Sequence, residues 1–203
     1  MSAIYKKSSN FFETNTPTFL KWYKSVNKYL SGSTVAKEKP DVFHAYKYVI
    51  SSRLLYECFH YLNQDRHNES LVDISGILFD ETCVVMERME CIEHDKQNSV
   101  YARSNLISTY RTLMKIDSYG GLLTGVFHIH PGKGPESIHP SFTDVNDQVR
   151  REKIGMKAIG AIFSRDGYFR FFSKSLGFNI KIVGKGVKKH DRYLYQFENS
   201  CNL

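Results

Sequence analysis

The sequence predicts a fold of the α/β or α+β class, with helices flanking a mixed or largely antiparallel β-sheet. Short β-rich runs bounded by turn residues recur along the chain, as in residues 70–80, 122–130 and 159–164. Stretches with apolar residues at helical spacing, such as residues 104–117, lie between them. At 203 residues, 41% of them hydrophobic, the chain is long enough for one globular domain with a sizeable core and an extension.

Composition and charge exclude several classes of protein. No apolar run approaches the ~20 residues that cross a bilayer, and the N-terminus lacks the apolar segment of a secretory signal. The net charge of +7 is spread out apart from a cluster at 181–192, which we interpret as a solvated surface. We therefore expect a cytoplasmic protein with neither a membrane nor a nucleic-acid partner. We expect its four cysteines to be reduced thiols. They are Cys58, Cys83, Cys91 and Cys201.

Residues 1–41 are expected to form an N-terminal helical extension, and residues 42–203 the main domain. Thr16-Pro17 is typical of a helix start, and Ser31-Gly32-Ser33 ends the apolar periodicity. Apolar residues recur at helical spacing between these two points, at Phe19, Tyr23, Val26 and Leu30.

The main domain begins with a second helix, predicted from Phe43 to about Asn63. Residues 70–80 and 82–92 follow as a β-hairpin joined at Asp80-Glu81. The helix predicted at 104–117 is expected to bury one apolar face. That face comprises Leu106, Ile107, Tyr110, Leu113 and Met114.

The second half of the chain alternates between strand and helix. Gly120-Gly121 precedes a strand at 122–130, and a helix is expected to begin at Ser141. Closing strands are predicted within AIGAIFS, YFRFFS and FNIKIVG, the first two joined by a turn at residues 165–167.

The stretch GVFHIHPGKGPESIHPSFTD, residues 125–144, contains the candidate metal-ligating residues. Residues two apart in a strand point to the same face, so His128 and His130 present both imidazoles to one side while Ile129 faces the core. Pro131 then ends the strand. Two half-exposed histidines on an edge strand are the structural alternative, whereas a shared metal, most often zinc, is the functional one.

Pro140 to Asp144 is typical of a helix start, with Ser141 as N-cap and Asp144 three residues later. Side chains of a first turn lean back towards the helix N-terminus, so Asp144 can also reach a metal at the strand end. Two His and one Asp leave a fourth tetrahedral position for water, the pattern of a catalytic zinc. The Ser141 hydroxyl, on the same turn, can donate to a developing oxyanion.

HIHP, a Gly/Pro-rich loop and PSFTD together resemble the His-x-His-Pro…Ser-x-x-Asp signature of the JAMM (MPN+) zinc metalloproteases. The order of predicted elements over residues 43–183 is also similar to that family. The resemblance implies an MPN/JAMM-like mixed sheet flanked by helices and Zn²⁺ held by His128, His130 and Asp144. The loop is longer than in the family, since thirteen residues separate His130 from Asp144, and length costs little there. We interpret His139 as a loop residue or substrate contact rather than a replacement ligand.

The resemblance further implies an upstream glutamate that acts as general base on the attacking water and then as acid towards the leaving amine. In the family, this glutamate begins a Glu-x-x-Gly-x-Leu-x-Gly motif and stands seven residues before its second glycine. Glu69 stands seven residues before Gly76. Asp73 is the better match to the family motif in its neighbouring residues, Asp-Ile-Ser-Gly-Ile-Leu, but an Asp side chain is one methylene shorter than Glu. Glu69 is the favoured base and Asp73 stays an alternative, while Glu87 and Glu90 are expected to face solvent.

The function implied is that of a zinc-dependent isopeptidase or peptidase, resembling the stand-alone prokaryotic type. Such enzymes hydrolyse the amide bond at the C-terminus of ubiquitin or a ubiquitin-like protein, in deconjugation or precursor processing. Implied partners are that modifier, its conjugates and, in antiphage conjugation systems, the activating and conjugating enzymes. A small amino-acid adduct on a sulfur-carrier protein is a further substrate within the same chemistry. The alternatives are a non-catalytic MPN scaffold, and a nucleic-acid-binding relative that charge alone indicates.

Overall fold

A nine-stranded mixed sheet forms the centre of the protein in a computed structural model that describes residues 46–198. The strands are β1 (Tyr46–Ser51), β2 (Ser70–Leu78), β3 (Cys83–Glu90), β4 (His94–Asn98), β5 (Tyr101–Ser104), β6 (Leu122–Ile129), β7 (Ile159–Phe163), β8 (Tyr168–Phe172), β9 (Phe178–Val183), β10 (Val187–Lys189) and β11 (Leu194–Phe197). The helices are α1 (Ser52–Leu62), α2 (Leu106–Ser118) and α3 (Phe142–Lys153), with a short 3-10 helix at Pro135–Ile138.

The strand order in the large sheet is β10-β11-β8-β7-β6-β2-β3-β1-β9, and β4 and β5 pair separately as a hairpin. Strand β1 is parallel to β3 and β9, and β6 is parallel to β7. The remaining pairs of the large sheet are antiparallel. The predicted fold class, a mixed sheet flanked by helices, is confirmed.

The two faces of the sheet have different neighbours, and strands β2 and β6 show the division clearly. Val72 and Ile74 alternate with residues of the opposite face, as does Phe127, and all three are fully buried in the hydrophobic core. Helix α1 packs its apolar side against this core through Leu55 and Phe59. The opposite face lies beneath α2 and α3.

The helix predicted from Phe43 is wrong in its first half within the described residues, because Tyr46–Ser51 is strand β1. Its side chains alternate in burial, and it pairs in parallel with β3 on one side and β9 on the other. The helix then begins at Ser52, where the Ser51 hydroxyl accepts a hydrogen bond from the Leu54 backbone N–H. The predicted extension at 1–41 lies outside the described residues.

The predicted β2–β3 hairpin, the strand after Gly120-Gly121, the Ser141 helix and the three closing strands are confirmed. Helix α2 is also confirmed, but the predicted buried face is wrong at Leu106, Ile107 and Tyr110, which are 78%, 61% and 38% exposed. Its buried residues are Ser108, Thr112 and Ile116. Only part of α2 lies over the sheet, and the Leu106 and Ile107 side chains of its first turn face outward.

Glu90 was also expected to face solvent, and this is wrong, because its side chain is 3% exposed. The hydroxyls of Ser75 and Tyr119 lie 2.8 Å from one carboxylate oxygen, and the Lys115 ammonium lies 2.8 Å from the other. Burial alone would raise the pKa of Glu90, but these three hydrogen bonds outweigh it and lower the pKa below its ordinary value. Glu87 is exposed, as expected.

Among residues 46–198, no helix is long and apolar enough to span a membrane.

Gly76, the glycine of the β2 motif, allows β3 to approach closely, and this generates a stability prediction. A Cβ on Gly76 would collide with the Val85 carbonyl oxygen and lie 3.0 Å from the Met86 Cα, so backbone would have to move. We expect Gly76→Ala to lower the free energy of unfolding by about 2–3 kcal/mol, as overpacking does. Urea unfolding measures this change. Glu87→Ala, exposed on the neighbouring strand, is the control and should change it by less than about 0.5 kcal/mol; equal stability of both variants would contradict the prediction.

Candidate metal centre

Strand β6 positions the two histidines at its C-terminal end. His128 stands opposite Leu71 of β2 and Ile162 of β7, so the site lies in the middle of the sheet and not at an edge. Between the histidines, Ile129 is fully buried in the core. The His130 backbone N–H donates to the Phe163 carbonyl at 2.9 Å, which extends the β6–β7 pairing to the last residue of the pair. The backbone of both histidines is therefore held by neighbouring strands.

The third side chain, Asp144, is held by the N-terminus of α3. Ser141 is the N-cap, and the Asp144 backbone N–H donates to the Ser141 hydroxyl at 3.3 Å. In return the Ser141 backbone N–H donates to Asp144 Oδ2 at 2.7 Å, completing a capping box. This leaves Asp144 Oδ1 directed at His128, whose Nε2 is 3.2 Å away. Capping thus uses Oδ2 and leaves Oδ1 facing His128.

The donor atoms of His128, His130 and Asp144 all lie within 4.8 Å of one another, so this group could hold a metal ion. The two Nε2 atoms are 3.1 Å apart, and His130 Nε2 lies 3.7 Å from Asp144 Oδ2. Tetrahedral bonds of roughly 2.0–2.1 Å separate two donors by about 3.3 Å. The 3.1 Å between the two Nε2 atoms and the 3.2 Å from His128 Nε2 to Asp144 Oδ1 are close to that value, so these side chains fit a zinc-sized ion.

The tautomer of His130 also suits a metal ligand. Its Nδ1 lies 2.7 Å from the backbone carbonyl of Ser137, which can only accept a hydrogen bond. Nδ1 therefore carries the proton, and the neutral ring presents the Nε2 lone pair to the centre. The loop that supplies this carbonyl is held in turn by Asp166, whose carboxylate accepts from the Gly134 N–H at 2.8 Å and from the Ser164 hydroxyl at 2.6 Å.

The charges of the group favour an ionised carboxylate. Burial would raise the pKa of Asp144, but hydrogen bonds from His128 and His130 outweigh it and hold the pKa well below its ordinary value. Burial would likewise lower the pKa of His130, yet Asp144 and the Ser137 carbonyl together raise it, with Glu69 adding to the effect. Protons and a metal ion therefore compete for His130, as expected of a ligand set.

Glu69 lies beside this group and Asp73 does not. Glu69 precedes Ser70, which pairs with Ile129, so it occupies the position opposite His130. Burial raises its pKa, the imidazoles of His128 and His130 partly offset that rise, and Asp144 adds to it. Asp73 pairs with Val126 further along the strand, and the charges that influence it are those of Arg151 and Glu90.

Two neighbouring segments fix the backbone of Glu69. Its N–H donates to the Asn98 carbonyl of the β4–β5 hairpin at 2.8 Å. On the other side, the Arg165 guanidinium donates to the Asn68 carbonyl at 2.6 Å and to Asn63 Oδ1 at 3.1 Å. No element was predicted for the hairpin, and residues 165–167 were interpreted only as a turn. A charged residue in a turn gives no signal of the distant carbonyls that it binds.

His139, interpreted from the sequence as a loop residue or substrate contact, is not in the group of His128, His130 and Asp144. Its side chain is 58% exposed, and its Nε2 lies 3.4 Å from the Glu136 carboxylate. The additional loop length is taken up by the 3-10 helix, which buries Ile138 completely.

No family model matches the sequence, and no curated protein matches it. A protein from Desulfitobacterium hafniense, solved in solution, is similar with 13% identity and a TM-score of 0.48, covering 67% of this chain and 94% of that one. A JAB1/MPN domain protein from Archaeoglobus fulgidus, solved by crystallography, is similar with 16% identity and a TM-score of 0.42, covering 66% and 98%.

The geometry generates a prediction about metal content. Purified protein should bind about one divalent metal ion per chain, because three donors converge on one point. His128→Ala combined with His130→Ala should lose most of it, since one carboxylate cannot hold the ion alone. Elemental analysis by mass spectrometry measures both. His139→Ala is the matched control and should keep the metal, whereas full occupancy in the double variant would remove the proposed ligand set.

Proposed function

We propose that the protein is a zinc-dependent isopeptidase or peptidase of the JAMM type. The observation that supports it is the convergence of two imidazoles and one carboxylate, with a second, partly buried carboxylate beside them. A three-ligand set of this kind leaves a coordination position open, as catalytic zinc sites do. Bound there, zinc would supply Lewis-acid chemistry, lowering the pKa of water to about 7 and polarising the substrate carbonyl.

Glu69 is the proposed proton carrier. Burial raises the pKa of its carboxyl group, which improves its match to a proton that must be taken up and released near neutral pH. The carboxylate takes a proton from the attacking water as the oxygen bonds to the amide carbon. It then returns the proton to the amine nitrogen as the carbon–nitrogen bond breaks.

Ser141 is the proposed oxyanion donor. Its oxygen already accepts the Asp144 N–H in the capping box, but the hydroxyl proton is not used there. That proton donates to the negative charge that develops on the carbonyl oxygen during water attack. The helix cap thus fixes the hydroxyl in place before the substrate arrives.

The proposed substrate is the amide at the C-terminus of ubiquitin or a ubiquitin-like protein, and the motif resemblance supports this assignment. The proposed partners are that modifier, its conjugates and the activating or conjugating enzymes of the same system, such as an antiphage system. A cytoplasmic location is part of the proposal. It is supported by free thiols at the described cysteines Cys58, Cys83 and Cys91.

The proton carrier is tested by Glu69→Gln, which keeps size and hydrogen bonding but cannot accept the proton. We expect the variant to retain zinc and lose about 10²–10⁴-fold in turnover, the usual contribution of a general base. The assay uses ubiquitin and several ubiquitin-like proteins carrying a fluorogenic C-terminal amide. Asp73→Asn should reduce turnover far less, and exposed Glu87→Gln should not change it. The opposite ranking of Glu69 and Asp73 would transfer the role to Asp73.

Ser141→Ala separates catalysis from capping. We expect turnover to fall by about 10²-fold, the cost of one oxyanion donor, and the free energy of unfolding to fall by about 1 kcal/mol for the lost cap. Ser51→Ala is the matched control, because it removes the N-cap of α1 on the core side of the sheet. It should reproduce the stability loss without the loss of turnover. Equal turnover in the two variants would show that Ser141 serves only the helix.

A further inference from the structure

A cavity of about 310 Å³ lies on the same face of the sheet as the metal centre. Leu71 and Val126 form part of its wall, and they neighbour the site directly. Leu71 is paired with His128. Val126 precedes His128 by two residues, so the two side chains lie on the same side of β6. Asp147, one turn along α3 from Asp144, lines the opposite side. A substrate bound at the metal centre can therefore place a neighbouring group in this cavity.

The walls are mostly apolar, and the volume is at the small end of the roughly 300–1,000 Å³ typical of ligand pockets. Strand β5, helices α2 and α3, and the segment after α3 complete the walls. The apolar side chains are Leu71, Leu113, Leu123, Val126, Ile154 and Met156. A space of this size and character takes one large side chain or a ligand of similar size.

Three polar groups that line the cavity have hydrogen-bonding capacity that no described residue uses. The Thr109 hydroxyl is buried without a partner among the described residues. Asp73 is 4% exposed, and within residues 46–198 it has the charges of Arg151 and Glu90 near it but no hydrogen bond. Arg151 donates from Nε to Gln148 at 3.4 Å, which leaves its terminal amino groups available.

These polar groups select the chemistry of the occupant. A cationic side chain would suit Asp73 but would meet Arg151, with Arg103 and Arg150 also lining the cavity. A carboxylate would suit the arginines but would meet Asp73. A neutral group that both donates and accepts satisfies both sides at once. It donates to the Asp73 carboxylate and accepts from Arg151 or Thr109.

We propose that this cavity is a specificity pocket for a tyrosine side chain close to the scissile bond of the substrate. The ring fills the apolar walls, where the Met156 sulfur also favours an aromatic neighbour, and the phenol hydroxyl meets the polar groups. Burial raises the pKa of Asp73 to about 7, and a donated hydrogen bond from the phenol would stabilise its ionised form. The position relative to the cleaved bond rests on the proposed function, but binding of the side chain does not.

The test measures binding without catalysis, in the zinc-loaded Glu69→Gln protein. N-acetyl-tyrosinamide, N-acetyl-phenylalaninamide, N-acetyl-argininamide and the α-amide of N-acetyl-glutamic acid are titrated and followed by NMR. We expect the tyrosine amide to bind about tenfold more tightly than the phenylalanine amide, the fold-change of a hydroxyl with matched partners. Equal affinities, tighter binding of a charged analogue, or no binding of any would overturn the proposal.

Two further substitutions in the Glu69→Gln protein test whether the tyrosine amide binds in this cavity. Asp73→Leu, similar in size, should bring the affinities for the tyrosine and phenylalanine amides close together. Val126→Trp should fill the cavity and abolish binding of both without exposing a polar group. Glu81→Ala, in the exposed β2–β3 turn, is the control and should keep the tenfold difference. Tyrosine selectivity that persists in both cavity variants would assign the binding to another surface. Selective binding without any amide hydrolysis by the unsubstituted chain would leave the pocket standing and reject the proposed function.

Discussion

The antiparallel register between β2 and β6 is the constraint on which the rest of the site depends. It pairs Leu71 with His128, which puts Glu69 opposite His130 and sends Ile129 into the core. A slip of one residue would reverse every side chain of one strand, burying an imidazole and exposing apolar residues. The hydrophobic core on one face therefore enforces the polar arrangement on the other. Asp73, four residues after Glu69, lies on the same face of the sheet as Leu71 and lines the cavity.

Asp144 shows how a structural role and a chemical role can be met by one side chain. At the N3 position of a capping box it stabilises the start of α3, and its other oxygen points at His128. The cap holds the carboxylate and the Ser141 hydroxyl in one turn. Because the turn is already ordered, little conformational entropy would be lost when a metal or an oxyanion arrives.

Support from outside the strands comes mainly from the β7–β8 turn. Arg165 binds backbone carbonyls in the segment before Glu69, and Asp166 holds the loop whose Ser137 carbonyl fixes the tautomer of His130. Both sides of the metal centre are thus tied to one turn. The β4–β5 hairpin closes the remaining side of Glu69 and, together with α2 and α3, forms the cavity.

The sequence by itself determined the features that local geometry controls. Strand periodicity places His128 and His130 on one face, and capping geometry joins Ser141 to Asp144, because both relations span two or three residues. Tertiary structure decided what depends on distant pairing. The segment at 46–51 has apolar residues compatible with either a helix or a strand, and it becomes β1 because β3 and β9, remote in sequence, supply its hydrogen bonds. The same holds for the positions of Glu69 and Asp73. Both precede Gly76, Glu69 directly before β2 and Asp73 within it, and only the register with β6 puts Glu69 beside the His128–His130–Asp144 group and Asp73 in the cavity.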